Sequence, residues 1–440
     1  MKNMLKVMTV ALLLVGLLMF GAACGNTQEA AEEPEKIEDQ AGEQTTEKAQ
    51  EPKELVIGFT GPLSGPAAQY GQDVLNGLDF AVNDINSKGG FTVDGQPYIF
   101  KLEAMDDQAD PTQTINNVRR MRDQFDVPTI FNPVFHSIAP MTEINMEEGN
   151  EFLIMAYSST PEILHLDNEL TVRIPPSFLT YVKAFVNDAW EEGWRKGAML
   201  VTLGGYGDEW RAAFQEQWEH KGGEIVADQP ANYYAETDYS TQLSAVIAKN
   251  PDFILIGGPS EPTALVIEQA RELGYEGPLM LVDQAKIDNI EEVLGGTELM
   301  HNVMGVPATG DVGTKTAQAF KSRYEKTYNT INTWEAVWNY NSIYVLAKAM
   351  EEAGSVDDPM AIREAFPKAF PLSGEEFPQE MYGIGDRGEI FGYGGVQKIN
   401  DSGEYTTPTD YVWWTDSQED FEKILEFTQA DNVELIDIEE

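Results

Sequence analysis

The chain has 440 residues, with 74 acidic against 29 basic side chains, a net charge of −45 and a single cysteine. A field of that sign repels backbone phosphates, so a nucleic acid is excluded as a partner. One cysteine forms neither an intrachain disulfide nor a cysteine-based zinc site, and the evenly spread acidity fits either a protein kept soluble in high salt or simply an acidic exported one.

Lys2 and Lys6 precede an apolar stretch from Val7 to Phe20. That stretch falls short of the roughly 20 apolar residues that span a bilayer and is charged on one flank only, so residues 1–23 read as a secretory signal. "FGAACGN" then places Cys24 after two small residues. This resembles the bacterial lipobox, with Gly21 where Leu is usual, and implies a lipidated Cys24 that anchors the mature protein outside the cytoplasm, on the outer face of the cell membrane or in the periplasm. Each acyl methylene adds about 0.8 kcal/mol of membrane affinity. The alternative is ordinary cleavage after Ala23, which leaves a free thiol. Residues 25–54 hold ten acidic residues, three lysines and a lone large aliphatic side chain, Ile37. Such a segment buries too little apolar surface to offset its ordering entropy, so residues 24–54 are expected to be an acidic tether.

From Glu54 the texture changes. "ELVIGF" reads as a strand, and Val74, Leu75, Leu78, Ala81, Val82 and Ile85 recur at helical spacing from Gln69 to Lys88, where Gly89 and Gly90 stop the pattern. The alternation continues with "YIFKLEAM", a helix over 111–124, "PTIFNP", a helix over 138–148 and "FLIMAY". Beyond the "RIPPS" break it resumes with "GAMLVTL", helix 207–221, "GEIVAD", helix 238–249, "DFILIGG", helix 261–273 and "PLMLVD". Helices follow over 314–328, 334–353 and 358–368, then an antiparallel pair in "RGEIFGYGGVQKI" and "EYTTPTDYVWW", then an amphipathic helix over 417–429. Strands separated by helical stretches make parallel sheets, and roughly 385 residues are too many for one core. The expected class is α/β, with two doubly wound parallel-sheet lobes joined by a hinge the chain crosses three times. Lobe one is assigned 55–175 plus 308–380, lobe two 176–307 plus 381–414, and 415–440 a C-terminal helix and acidic tail.

The blocks "GPLSGPAAQYGQDVLNGLDFAVNDINSKGG", "DDQADP", "MEEGNEFLIMAYSSTPEI", "GGYGDEW" and "EQARELGY" are similar, in order and wording, to the branched-chain amino-acid-binding proteins of ABC importers, type I periplasmic binding proteins with three hinge crossovers. The similarity runs along most of residues 55–414. It implies that Tyr70 closes over a ligand, that donors come from Phe135, His136 and Ser137 and from Tyr157, Ser158 and Ser159, and that Tyr206 covers the ligand from lobe two. Asp283 stands where the family holds a glutamate for the ligand's ammonium. Trp334 and Glu335 align near the cleft and would add a ring and a second acid. For each of these residues the alternative is a packing or surface role. The chain also departs from the family, because expected hydroxyls fall on Phe135 or His136 and a lobe-two tyrosine falls on Pro259. The ligand class therefore stays open among an amino acid, an amide such as urea, an aromatic acid and a cationic amine.

Other motifs lead elsewhere. The turn before the first helix has no Gly-Lys-Ser/Thr and so is not a phosphate loop. "GIGDRG" over 383–388 fits G-x-G-x-x-G, but strand-like "EIFGYGGV" follows where a dinucleotide fold needs a helix, which makes it a hinge turn. "DDQADP" offers three carboxylates without calcium-loop spacing and reads as a structural loop. His136, His165, His220 and His301 lie far apart without metal spacing, and no G-x-S-x-G serine is present. The expectation is a monomeric, non-enzymatic receptor without cofactor or metal, which captures a small polar solute between its lobes and delivers it to an ABC permease. A sensor ectodomain for a signalling partner, or an exported hydrolase, would be the alternatives.

Overall fold

The computed structural model describes residues 50–311 and 313–439. The expected signal peptide, the lipidated Cys24 and nearly all of the tether lie outside the described residues.

Lobe one begins with β1 (Lys53–Gly61), α1 (Ala68–Ser87), a hairpin of β2 (Phe91–Val93) and β3 (Gln96–Asp106), α2 (Pro111–Phe125), β4 (Thr129–Asn132), α3 (Phe135–Thr142), β5 (Leu153–Ala156), the single turn α4 (Glu162–His165) and β6 (Thr171–Arg173). Its sheet has the order β2-β3-β1-β4-β5-β6, parallel except for β2. Ile57 and Phe59 of β1 are wholly buried, as are Val74, Leu78 and Ala81 of α1. Burying such aliphatic and aromatic side chains stabilises by about 1.5–3 kcal/mol each. Asp110 caps α2 by accepting from the amides of Thr112 (2.7 Å) and Gln113 (3.2 Å), with Pro111 at the first helical position.

Lobe two holds α5 (Phe178–Glu191), β7 (Lys196–Val201), α6 (Gly205–His220), β8 (Glu224–Asp228), α7 (Ser240–Ile247), β9 (Phe253–Gly257), α8 (Ser260–Glu272), β10 (Leu279–Leu281), α9 (Ile287–Leu294) and β11 (Val303–Gly305). Strands β9, β10 and β11, and β7 beyond Lys196, are buried on both faces, as a parallel sheet between helix layers requires, while β8 at the edge is half-exposed. Ala198, Leu200, Ile254 and Ile256 pack with Val266 and Ile267 on one side, and Met199, Val201 and Leu255 join Trp210, Phe214 and Trp218 of α6 on the other. The chain then returns α10 (Ala317–Tyr328), α11 (Trp334–Ala353) and α12 (Pro359–Ala365) to lobe one. There Phe80 of α1 meets Phe320, Tyr324 and Tyr340 edge-on or tilted at 5.5–5.9 Å. Gly77 is required at this contact, because a Cβ there would lie 2.4 Å from the carbonyl oxygen of Ala336.

The chain crosses once more through the hairpin β12 (Gly383–Ile384) and β13 (Ile390–Phe391), and β14 (Gly394–Ile399), β15 (Thr409–Val412), α13 (Gln418–Phe427) and β16 (Val433–Leu435) complete lobe two. The resulting order is β16-β15-β14-β11-β10-β9-β7-β8. The crossing segments are tied together, with the Arg173 amide donating to the Gly388 carbonyl (2.9 Å) and the Ala308 amide to Gln397 Oε1 (2.9 Å).

Three local readings differ from the structure. The helix expected over 138–148 spans Phe135–Thr142, because Asn132 Oδ1 takes the Val134 amide at 2.8 Å and turns the chain into the helix directly after β4. Helix α5 was hidden by the prolines before it; Ser177 caps it by accepting from the Leu179 amide at 3.3 Å. The segment expected as helix and acidic tail supplies the edge strand β16, parallel to β15, with Ile436 buried beside it. "GIGDRG" forms the β12–β13 hairpin with no helix after it.

Candidate ligand-binding cleft

Open α/β sheets place ligand contacts at the carboxyl ends of their strands. Here those ends from both lobes line one cleft. Lobe one contributes Tyr70 from α1, Pro133 to His136 after β4, and Tyr157 to Ser159 after β5. Lobe two contributes Thr202 to Gly204 after β7, Tyr206 from α6, Tyr234, and Asp283, Gln284 and Lys286 after β10.

On the lobe-two wall, Asp283 Oδ1 accepts from the Tyr206 hydroxyl (2.6 Å) and from Trp210 Nε1 (2.8 Å). The Tyr206 oxygen in turn accepts from the Gln284 amide at 3.3 Å, and Trp210 stacks on Phe178 at 5.2 Å. Burial first, and the charge of Asp283 second, push the Tyr206 phenol well above its ordinary range and keep it a neutral donor. Asp283 Oδ2 receives no hydrogen bond from a described residue, so a half-satisfied carboxylate stands at the cleft.

Lys286 is buried, donates to the Asp283 carbonyl, and lies 3.0 Å from Glu335 Oε1 on α11. The pair links the two lobes. Glu335 is only 2% exposed and, among described residues, this ion pair is the only polar contact of its carboxylate. It therefore lies behind the wall with its charge already matched. Trp334 donates Nε1 to the Pro307 carbonyl (2.7 Å) and lines an adjoining cavity instead of the cleft.

The lobe-one wall is chemically different. The Tyr70 hydroxyl donates to the Pro133 carbonyl (3.1 Å) and lies 3.4 Å from the Tyr157 carbonyl, so the ring is pinned as a wall. The Tyr157 amide, expected to be offered to the ligand, donates instead to the Asn132 carbonyl at 3.0 Å, while the Tyr157 ring lines the cleft. Ser158 and Ser159 line it as well, and the Ser159 hydroxyl is buried with no partner. Ser137 has a buried, unpartnered hydroxyl too but sits outside the lining. Phe135 packs against Gly205 of α6, where a Cβ would lie 2.9 Å from its ring. His136 donates Nε2 to the Ala109 carbonyl at 2.8 Å and meets the Tyr234 ring edge-on at 5.9 Å.

Tyr234, Gln284 and Lys286 escaped the sequence reading. Tyr234 lies in an irregular turn and accepts from Gln284 Nε2 at 3.0 Å. A cation three residues after the strand-end acid, in "DQAKID", was the available signal for Lys286. The rims of the lobes also touch where the Thr160 hydroxyl donates to Glu209 Oε2 on α6, and burial raises the Glu209 carboxyl to about 7. The loop "DDQADP" spends its acids locally: Asp106 binds Ser64 and the Leu63 amide, Asp107 binds Thr60 and Thr114, and Asp110 caps α2. Among the described residues no group of three or more histidine, cysteine or acidic side chains is placed to hold a metal, and no helix is long and apolar enough to cross a membrane.

Comparison with known proteins agrees with this architecture. The Leu/Ile/Val-binding protein BraC3 of Rhizobium johnstonii is 24% identical over 350 residues, covering 77% of this chain and 89% of that one. A crystal structure of LivJ, the branched-chain amino-acid transporter substrate-binding protein of Streptococcus pneumoniae, in complex with isoleucine superposes with TM-score 0.69 at 19% identity, over 81% of this chain and 99% of that one. A solute-binding protein of an ABC transporter from R. palustris, in complex with benzoate, gives TM-score 0.68 at 15% identity, over 80% and 94%. The sequence profile of the family described as periplasmic binding protein matches residues 54–386. With its two α/β lobes and the cleft between them, the chain belongs to the type I periplasmic binding proteins of the branched-chain amino-acid ABC family.

Proposed function

We propose that the protein is the extracytoplasmic solute receptor of an ABC importer, held at the membrane through a lipid on Cys24, and that it captures a small zwitterionic or cationic solute between its lobes. One observation carries the ligand's polarity: the lobe-one wall presents a buried hydroxyl without an acceptor at Ser159, and the lobe-two wall presents a carboxylate without its full set of donors at Asp283. A zwitterion satisfies both, with its carboxylate toward Ser159 and its ammonium toward Asp283 Oδ2. Both ends need partners, since an unpaired buried charge costs several kcal/mol. Tyr70 and Tyr206 cover the solute from opposite lobes. Because a ligand touching both walls binds the closed form better than the open one, that difference drives closure. The isoleucine and benzoate relatives show how widely ligands vary on this fold, so the walls of the cleft, not the fold, set the choice.

The test begins with mass spectrometry of small molecules released from freshly purified, denatured protein, followed by small-angle scattering with and without the solute so identified. A smaller radius of gyration on binding is expected. An unchanged radius would overturn the closing-cleft mechanism, and an anionic or fully neutral solute would overturn the role given to Asp283. Ammonia release from amides by the pure protein would point to a hydrolase instead.

A further inference from the structure

Behind the Asp283–Lys286 segment lies a second cavity, which shares Tyr157, Pro175, Asp283 and Lys286 with the cleft. Besides Tyr157, four further aromatic side chains line it: Tyr181, Trp334, Trp338 and Tyr393. Asp410 of β15 lines it too, and among the described residues no donor reaches the Asp410 carboxylate. Gly395, paired with Asp410 across the sheet, makes room for this acid: a Cβ on Gly395 would lie 2.7 Å from Asp410 Oδ1. Lys286 is the cationic side chain on the cavity wall, and Glu335 already neutralises it.

These features have a common chemical sense. Aromatic rings attract cations through their quadrupole, and a half-buried carboxylate without a donor among the described residues favours a positive partner over an apolar or anionic one. Burial, and the neighbouring charge of Glu380 after it, push the Asp410 carboxyl up to about 7, so its charge there is costly until a cation arrives. The walls oppose an anion, because Asp283 and Asp410 both face the same space.

We infer that this aromatic-walled cavity is a distal subsite for a second positive group, so that the solute is an amino acid or amine with an additional amino, guanidino or quaternary ammonium group at its far end, held by Asp410. The inference rests on the zwitterion reading of the cleft and extends it from one charge site to two.

Calorimetry on the full soluble protein with length-matched pairs tests it: ornithine against norvaline, and lysine against norleucine and 6-hydroxynorleucine. In at least one pair the ω-amino compound is expected to bind at least about 10-fold tighter than its uncharged partner, the worth of one charge-assisted contact. Asp410→Asn should reduce that preference to near unity, whereas Asp283→Asn should weaken both members of the pair and keep the preference. If uncharged amino acids bind as well as or better than their ω-amino partners in every pair, the distal subsite falls while the cleft reading stands. If neither series binds, both fall. A preference that survives Asp410→Asn would overturn the assignment to Asp410, and the pairwise comparison in the unaltered protein decides the matter even where that variant fails to fold.

Discussion

On the lobe-one wall the polar groups are neutral and one of them is idle: Tyr70 is bound to main-chain carbonyls, and Ser159 holds a buried hydroxyl with no acceptor. The lobe-two wall is ionic and only partly satisfied. Asp283 already takes two donors, and Lys286 is locked between the Asp283 carbonyl and Glu335 of the opposite lobe. The difference shows where selectivity resides. Neutral donors accept many anionic or polar ends, but a fixed carboxylate with a vacant oxygen discriminates by charge, so lobe two chooses the solute and lobe one completes its enclosure.

The strongest way to break this contrast is to remove the charge that joins the walls. Lys286→Met leaves Glu335 buried and unpaired, and should cost about 3–5 kcal/mol in denaturant unfolding. Adding Glu335→Leu should recover most of that loss, since replacing both partners of a buried pair is often nearly neutral. A next test addresses the lobe-two wall itself: Asp283→Asn should weaken a cationic or zwitterionic solute by about 10- to 100-fold in calorimetry, at ~1.4 kcal/mol per decade. Equal affinity in the mutant would remove charge selection from lobe two. On the neutral wall, Ser159→Ala should cost about 10-fold, the low end for a neutral donor to a charged group. A loss as large as that of Asp283→Asn would erase the proposed asymmetry.

The smallest effect concerns the rim. Burial raises the Glu209 carboxyl from 4.5 to about 7, so the folded protein binds its proton more tightly than the unfolded chain does. That contribution is fully present below about 4.5 and is lost as pH rises through about 7. Stability should therefore decline across this window, and Glu209→Gln should flatten that part of the profile in unfolding measurements made below and above it. An identical profile in the variant would remove Glu209 as its source.

The apolar periodicity around Val74, Leu78 and Ile85 and the runs "DFILIGG" and "PLMLVD" are local signals, and they were enough for the two parallel-sheet lobes. Local patterning fixes which residues must be buried, and burial on both faces of a strand leaves few architectures. Motif wording extended this to Tyr70, Ser159, Tyr206 and Asp283, all of which line the cleft. Patterning also failed where the signal is weak or shared: prolines hid α5, and the acidic composition of the C-terminal segment masked β16. What only the tertiary structure decided is how charge is spent. Nothing in the sequence near Glu335 says that Lys286, almost fifty positions earlier, will neutralise it, or that Asp410 will lack a donor among described residues at the back of an aromatic cavity. Hydrogen bonds and ion pairs form between neighbours in space, and the three hinge crossings bring together residues that the chain keeps far apart.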